Sequence, residues 1–235
     1  MNEPNQSTPI RLNKYLALHA NLSRREADEH IQRGHVTVNN TQAVLGAHVT
    51  LADAVTLQGR RIKPLTTQRR YISFHKPAGY VCSRRAQGST PTIYALLPNE
   101  LHSLKPVGRL DKDSSGILLL TNDGDFSHRM THPSFHKQKT YLVSLDHELE
   151  PLHQQMISDY GVQLDDGPSK LSLERQSEDS DRHDWVVLMH EGRNRQIRRT
   201  FATLGYAVTA LHRTQFGQYS LGDIPSGNWK AINIS

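Results

Sequence analysis

Cysteine is almost missing from this 235-residue chain, where Cys82 stands alone. A single thiol excludes an internal disulfide framework and any cysteine-cluster zinc site. Long apolar runs are missing too. No window approaches the ~18 consecutive apolar residues of a membrane-spanning helix, so no membrane role is expected. The opening MNEPNQSTP has no apolar stretch, and no secretory signal is expected from it. Aromatics make up only 6% and hydrophobic residues 36%, lean but enough to bury a core. These limits describe a globular chain of a reducing compartment, expected to be cytoplasmic. Its length suits one or two domains.

What the chain does have is unevenly placed charge. Between Ile10 and Arg70 stand ten basic residues against four acidic ones. From Tyr71 to the end the two signs balance at 18 each. The whole formal excess of +5 therefore belongs to the first part of the chain. Such asymmetry suggests a polyanion-binding module joined to a neutral domain. A merely solvated basic face is the alternative that charge alone leaves open.

Residues 1–9 are polar with two prolines and read as a disordered tail. Leu12, Tyr15, Leu16 and His19 recur at helical spacing. Ser23 and Glu26 have the spacing of a capping box, which starts a second helix that buries Ala27 and Ile31 and that Gly34 can close. Val36 and Val38 alternate as in a strand, and Asn39-Asn40 is a turn candidate. Val44, Val49, Val55 and Leu57 suggest further small strands. RLNKYLA followed by SRREADEHIQRGHVTVN resembles the small RNA-binding domain of ribosomal small-subunit protein four. The resemblance implies an RNA-binding domain over 10–58, with Arg11, Lys14, Arg24, Arg25 and Arg33 facing RNA phosphates. Arg24 and Arg25 could instead pair with Asp28 and Glu29 one turn on. Residues 59–70 read as a basic linker, with Arg60 and Arg61 as further RNA-contacting candidates.

From Tyr71 onward, the runs YISFHK, GILLLT, KTYLVSL and DWVVLMH read as strands, with turns between them. Helical periods are fewer: Phe126–Met130, Glu150–Ser158 and Arg195–Leu204. Residues 178–182 read as an exposed hairpin loop. The expectation for 71–235 is an α+β domain with a mixed, mainly antiparallel sheet. His128, His132 and His136 recur every four residues, but Pro133 interrupts any helix that could align them on a metal.

Two segments concentrate chemistry. In GRLDKDSSG, Asp111 sits in a charged loop that feeds an apolar strand. A calcium loop fits Asp111, Asp113 and Gly116 but lacks the later ligands. A phosphatase-type D-x-D motif and a plain hairpin loop with Asp111 paired to Arg109 also remain open. In EGRNRQIRRTF, Arg193, Arg195, Arg198 and Arg199 crowd a helix N-terminus, where the helix dipole favours acids by ~0.3–1 kcal/mol per group. Local rule-breaking of this kind points to a functional site that needs an anion.

GRLDKDSSGILLLTNDG, then KTYLV, then EGRNRQIRR, resemble the three active-site motifs of the RsuA-type ribosomal RNA pseudouridine synthases, and YISFHKPAGYVCS resembles the first strand of that catalytic domain. The resemblance implies isomerisation of uridine to pseudouridine in ribosomal RNA, free or in a subunit precursor. A non-catalytic RNA-binding or ribosome-assembly factor on the same fold is the alternative. The reaction adds no group and changes no oxidation state, so the resemblance implies no cofactor and no metal, and a monomer is the default. It places the essential aspartate at Asp111, its ion-pair partner at Arg198 and the active-site tyrosine at Tyr141. Ile197 would line the uracil pocket, with Leu110 and Gln196 nearby. Arg109, Arg193 and Arg195 would brace the loop or hold phosphates.

Overall fold

The computed structural model describes residues 8–20, 22–64, 68–85, 87–176 and 181–234. Most of the expected tail (1–7), part of the expected linker (65–67) and the tip of the expected hairpin (177–180) lie outside the described residues. The chain divides into two compact units, Met1–Gln68 and Arg69–Ser235.

In the first unit, helices α1 (Leu12–His19) and α2 (Arg24–Gln32) pack through Leu12, Tyr15, Leu16, Ala27 and Ile31 onto Val36, Val49 and Val55. The capping box forms as expected. The Glu26 amide donates to the Ser23 hydroxyl at 3.1 Å, and the Ser23 amide donates to the Glu26 carboxylate at 2.7 Å. A four-stranded sheet follows, formed by β1 (Val36–Val38), β2 (Thr41–Gln42), β3 (Val55–Leu57) and β4 (Arg60–Arg61) in the order β2-β1-β3-β4. Asn39-Asn40 makes the first hairpin with positive φ at both residues, the conformation of a two-residue primed turn. Gln58-Gly59 repeats the device and joins β3 to β4. The expected linker therefore begins as sheet, and Arg60 and Arg61 ride an exposed edge strand. Val44, expected in a strand, lies outside one and is exposed.

The second unit is built on a nine-stranded mixed sheet. Its main strands are β5 (Tyr71–Lys76), β6 (Ser115–Thr121), β7 (Lys139–Leu145), β8 (Ser172–Arg175), β9 (Asp184–Met189), β10 (Val208–Phe216) and β11 (Trp229–Ala231), in the order β8-β9-β7-β10-β6-β5-β11. Every pairing among them is antiparallel except β6 with β10, which run parallel at Ser115–His212 and Gly116–Arg213. The continuous apolar run of β6 reflects cover on both sides. Leu118 and Leu120 join the main core with Phe74, Val143, Trp185 and Phe201, whereas Ile117 and Leu119 join Val107, Phe126, Met130 and Phe216. Helices α3 (Gly124–Thr131) and α4 (Gln196–Thr203) fall where the sequence places them. The helix expected over Glu150–Ser158 forms as Pro151–Gln155 followed by a π-helical turn, Met156–Tyr160. Among the described residues no helix is long and apolar enough to cross a membrane.

Candidate active site

The Asp111 loop leaves Gly108 (φ +69°) and enters β6 at Ser115. A buried cation holds it. Lys76, at the end of β5, is fully buried, and its Nζ donates to the carbonyls of Ser114 (2.6 Å), Asp111 (3.0 Å) and Lys112 (3.3 Å) and to that of Pro77 (3.0 Å). Burial pulls its pKa down to about 8, opposed by Cys82, Asp111 and Asp113. The Gly79 amide also donates to Lys112 O at 2.8 Å, and Cys82 Sγ lies 3.3–3.4 Å from the backbone O and N of Leu110. The backbone around Asp111 is thus pinned while its carboxylate keeps 33% of its surface.

The arginine segment meets that loop through an unexpected member. Arg195 adopts left-handed backbone angles (φ 47°, ψ 32°) immediately before α4. This turn brings its Nη1 to 3.7 Å from Asp111 Oδ2. Arg198, expected in that role, does not pair with Asp111. Its Nη1 donates to Val208 O at 2.6 Å and its Nη2 to Asp113 O at 3.0 Å. Lying on the first helical turn, Arg198 faces the start of β10, so it braces the loop from behind. Burial lowers its pKa, with Arg195 adding to the effect and Asp113 and Asp111 opposing it.

Asp166 accounts for two of the remaining arginines. It accepts from Arg193 Nη1 at 2.9 Å and from Arg199 Nη1 and Nη2 at 3.0 and 2.7 Å. Arg193 also donates to Gly167 O and Pro168 O. Gln196 is buried and donates to Glu191 Oε1 (2.6 Å) and Ser169 Oγ (3.1 Å). The crowding of like charge at the α4 N-terminus is relieved by this fixed carboxylate and by backbone carbonyls.

Between the two segments lies a cleft of about 440 Å³. It gathers Arg109, Leu110, Asp111, Tyr141, Arg193, Arg195, Gln196 and Ile197, every candidate in this unit except Arg198. Tyr141, on β7, is 7% exposed and forms part of the wall. Three cations to which the sequence assigns no role also stand here or beneath the loop. Lys76 and Lys139 belong to YISFHK and KTYLVSL, where a lysine at the end of a strand was the available signal. Lys139 Nζ donates to His190 O and Glu191 O at 3.2 and 3.1 Å; burial and Arg213 bring its pKa to about 8 against the pull of Glu191. Arg213, on β10, gave no signal. It is 2% exposed, donates from Nε to Ile117 O at 2.9 Å, and lies with Nη1 3.5 Å from the Tyr141 hydroxyl. Among the described residues no group of three or more His, Cys, Asp or Glu could hold a metal ion.

A sequence model of the family described as RNA pseudouridylate synthase matches residues 70–203. The chain belongs to that family. The synthase also matches the S4 domain over residues 10–55. It is 37% identical to ribosomal small subunit pseudouridine synthase A of Pasteurella multocida, over 95% of this chain and 96% of that one. It is 34% identical to ribosomal large subunit pseudouridine synthase B of Pseudomonas aeruginosa, over 97% of this chain but 61% of that longer protein. A crystal structure of a pseudouridylate synthase superimposes with a TM-score of 0.68 at 31% identity, covering 95% and 96% of the two chains. The family resemblance and the α+β class read from the sequence are borne out. The synthase is an RNA-modifying isomerase rather than a non-catalytic factor on the same fold.

Proposed function

We propose that this synthase converts uridine to pseudouridine in ribosomal RNA, with Asp111 as the essential carboxylate. The observation that carries this is the Asp111 loop: its carbonyls at Asp111, Lys112 and Ser114 are tied down, while the carboxylate stands open to the cleft beside Arg195. A fixed nucleophile or base of this kind gains from pre-paid orientation. The carboxylate either attacks ribose C1′, forming an ester that C5 later displaces, or takes the C2′ proton and returns it to C2′ when C5 adds to the glycal; both routes release the base as its anion. The ring then turns, C5 bonds to C1′, C5 loses its proton and N1 gains one. Tyr141 would stack on the extruded base and receive the C5 proton, with Leu110 and Ile197 as apolar lining. Arg198 supports the loop through Asp113 rather than pairing with Asp111, and exposed Arg109 suits a phosphate.

Extruding a base from folded RNA costs a few kcal/mol, which phosphate contacts can offset. Arg11, Arg24, Arg25, Arg33, Arg60 and Arg61 are exposed on the S4 unit and Lys14 is half-buried there, so they suit that work. Among the described residues Arg24 and Arg25 form no ion pair with Asp28 or Glu29, and Asp28 instead accepts from Asn13 at 3.0 and 3.1 Å. The names of the two relatives support a ribosomal substrate. A cytoplasmic monomer acting on free rRNA or on a subunit precursor completes the reading.

The test is Asp111→Ala. Pseudouridine formation on rRNA should vanish while RNA binding and thermal unfolding stay as in the parent protein. Persistent turnover would overturn the assignment.

A further inference from the structure

Arg213 is among the largest fully buried side chains of the described residues, and an arginine guanidinium keeps its charge inside a protein. No carboxylate lies within ion-pair distance of it among the described residues. Its Nη2 is buried with no hydrogen-bond partner, and so is the hydroxyl of Ser114, itself 1% exposed. Both residues line the Asp111 cleft. An unpaired buried charge is costly to a fold, and an unsatisfied buried donor adds to that cost. A fold that keeps both in its reaction cleft is incomplete without a polar ligand there. The charge is felt around it: Arg213 adds to the burial that lowers the pKa of Lys76 and Lys139, and it opposes the burial that raises that of Cys82.

The arginine is also built in rather than incidental. It stands directly opposite Tyr141 on the neighbouring strand, and both side chains reach the cleft. On its other side it meets Gly116, where a Cβ would lie 2.1 Å from Arg213 O. The guanidinium sits over the Phe216 ring at 4.8 Å. Its position is thus set by β6, β7 and β10 together.

We propose that Arg213, with Ser114 in the same cleft, forms the polar end of the base pocket, donating to a uracil carbonyl oxygen and stabilising the negative charge the ring acquires when the N1–C1′ bond breaks. The inference rests on the function proposed above. By either route the electron pair of that bond departs with the ring. The uracil anion spreads its charge onto N1 and the carbonyl oxygens until C5 bonds to C1′. A donor-only guanidinium suits a ring edge with two carbonyl oxygens. A preorganised donor in a water-poor site stabilises developing charge without reorganising.

The experiment compares Arg213→Met with the parent protein on two RNAs, one with uridine and one with 5-fluorouridine at the target. Single-turnover loss of the N-glycosidic nucleoside is read by digestion and mass spectrometry. Fluorine withdraws electrons and stabilises the ring anion. On the uridine substrate the variant should be about 10²–10³-fold slower, the loss typical of one such donor. RNA affinity, set mainly by phosphates, should hold. The parent-to-variant rate ratio should be smaller on the fluorinated RNA. An equal ratio on both RNAs, or a folded variant with no rate loss, would overturn the inference. Should Arg213→Met fail to fold, Arg213→Gln removes the charge while keeping a polar side chain in the site, and it must show the same substrate-dependent ratio. A parent protein that isomerises no rRNA uridine would instead remove the proposed function itself.

Discussion

Two lysines control the shape of the cleft. Lys76 gathers the carbonyls of the Asp111 loop, and Lys139 holds those of His190 and Glu191 at the root of the arginine segment. Burial brings both pKa values to about 8 from an ordinary 10.5. Above that pH each ammonium loses a donor and its charge, and the two loops lose their common restraint. The single-turnover rate should therefore fall as pH rises through about 8. Stability should not follow it. A depressed folded pKa means the unfolded chain binds the proton more tightly between about 8 and 10.5, so these two groups make stability rise with pH across that window. Rates and melting temperatures measured over the same alkaline series check the prediction. A rate that stays flat well above pH 8 would sink it. Single residues also mark where sequence patterns stop being informative. The motif order located Asp111 and the arginines in one cleft. It could not assign Arg195 over Arg198, because the choice depends on one left-handed residue that turns a side chain forward while the next turn of helix points Arg198 back.

At the level of elements, the join between β6 and β10 decides whether a site exists. It is the one parallel pairing among the described strands of the sheet, and it sets the Asp111 loop against Arg213. Gly116 permits it, with φ +108° and no room for a Cβ against the Arg213 backbone. Gly116→Ala should lower unfolding stability by at least about 2 kcal/mol, combining positive-φ strain with overpacking. Gly222→Ala makes the control: φ is +57°, but nothing lies within 4 Å of the added carbon. It should cost only about 1 kcal/mol, all of it backbone strain. Denaturant titration of the two variants gives the comparison, and equal losses would mean that the close approach is not what demands glycine. β10 itself was invisible in the sequence. Its buried positions are Leu211, Arg213 and Phe216, with a charge in the middle, and Val208 and Ala210 stand among threonines, histidine and glutamine outside them, so no apolar alternation is left to read. The strands that were legible, such as β7 and β9, bury alternate apolar residues. β4 escaped for a different reason, since two exposed arginines on an edge carry no burial pattern at all.

Over the whole molecule the formal charge is +3 on the first unit and +2 on the second, because Arg69 and Arg70 open the second unit and the signs balance only from Tyr71 on. A catalytic unit whose net charge is small can still hold a positive cleft, because acids such as Asp166 fix arginines from outside it. The two units should therefore fail differently. Replacing Arg24, Arg25 and Arg33 together by Gln removes exposed charge and no packing, so folding should be unaffected. RNA affinity should drop. The slope of log K against log salt should become less steep by about 0.7–0.9 for each phosphate no longer neutralised, the signature of fewer counterions released. At saturating enzyme the single-turnover rate should match the parent, because none of the three residues belongs to the Asp111 cleft. Binding titrations at several salt concentrations, paired with rates at saturation, separate the two effects. An unchanged slope would mean that these arginines only solvate the S4 unit. A fall in the saturated rate would mean that they help deliver the base, and that gripping and chemistry are not separable along the chain.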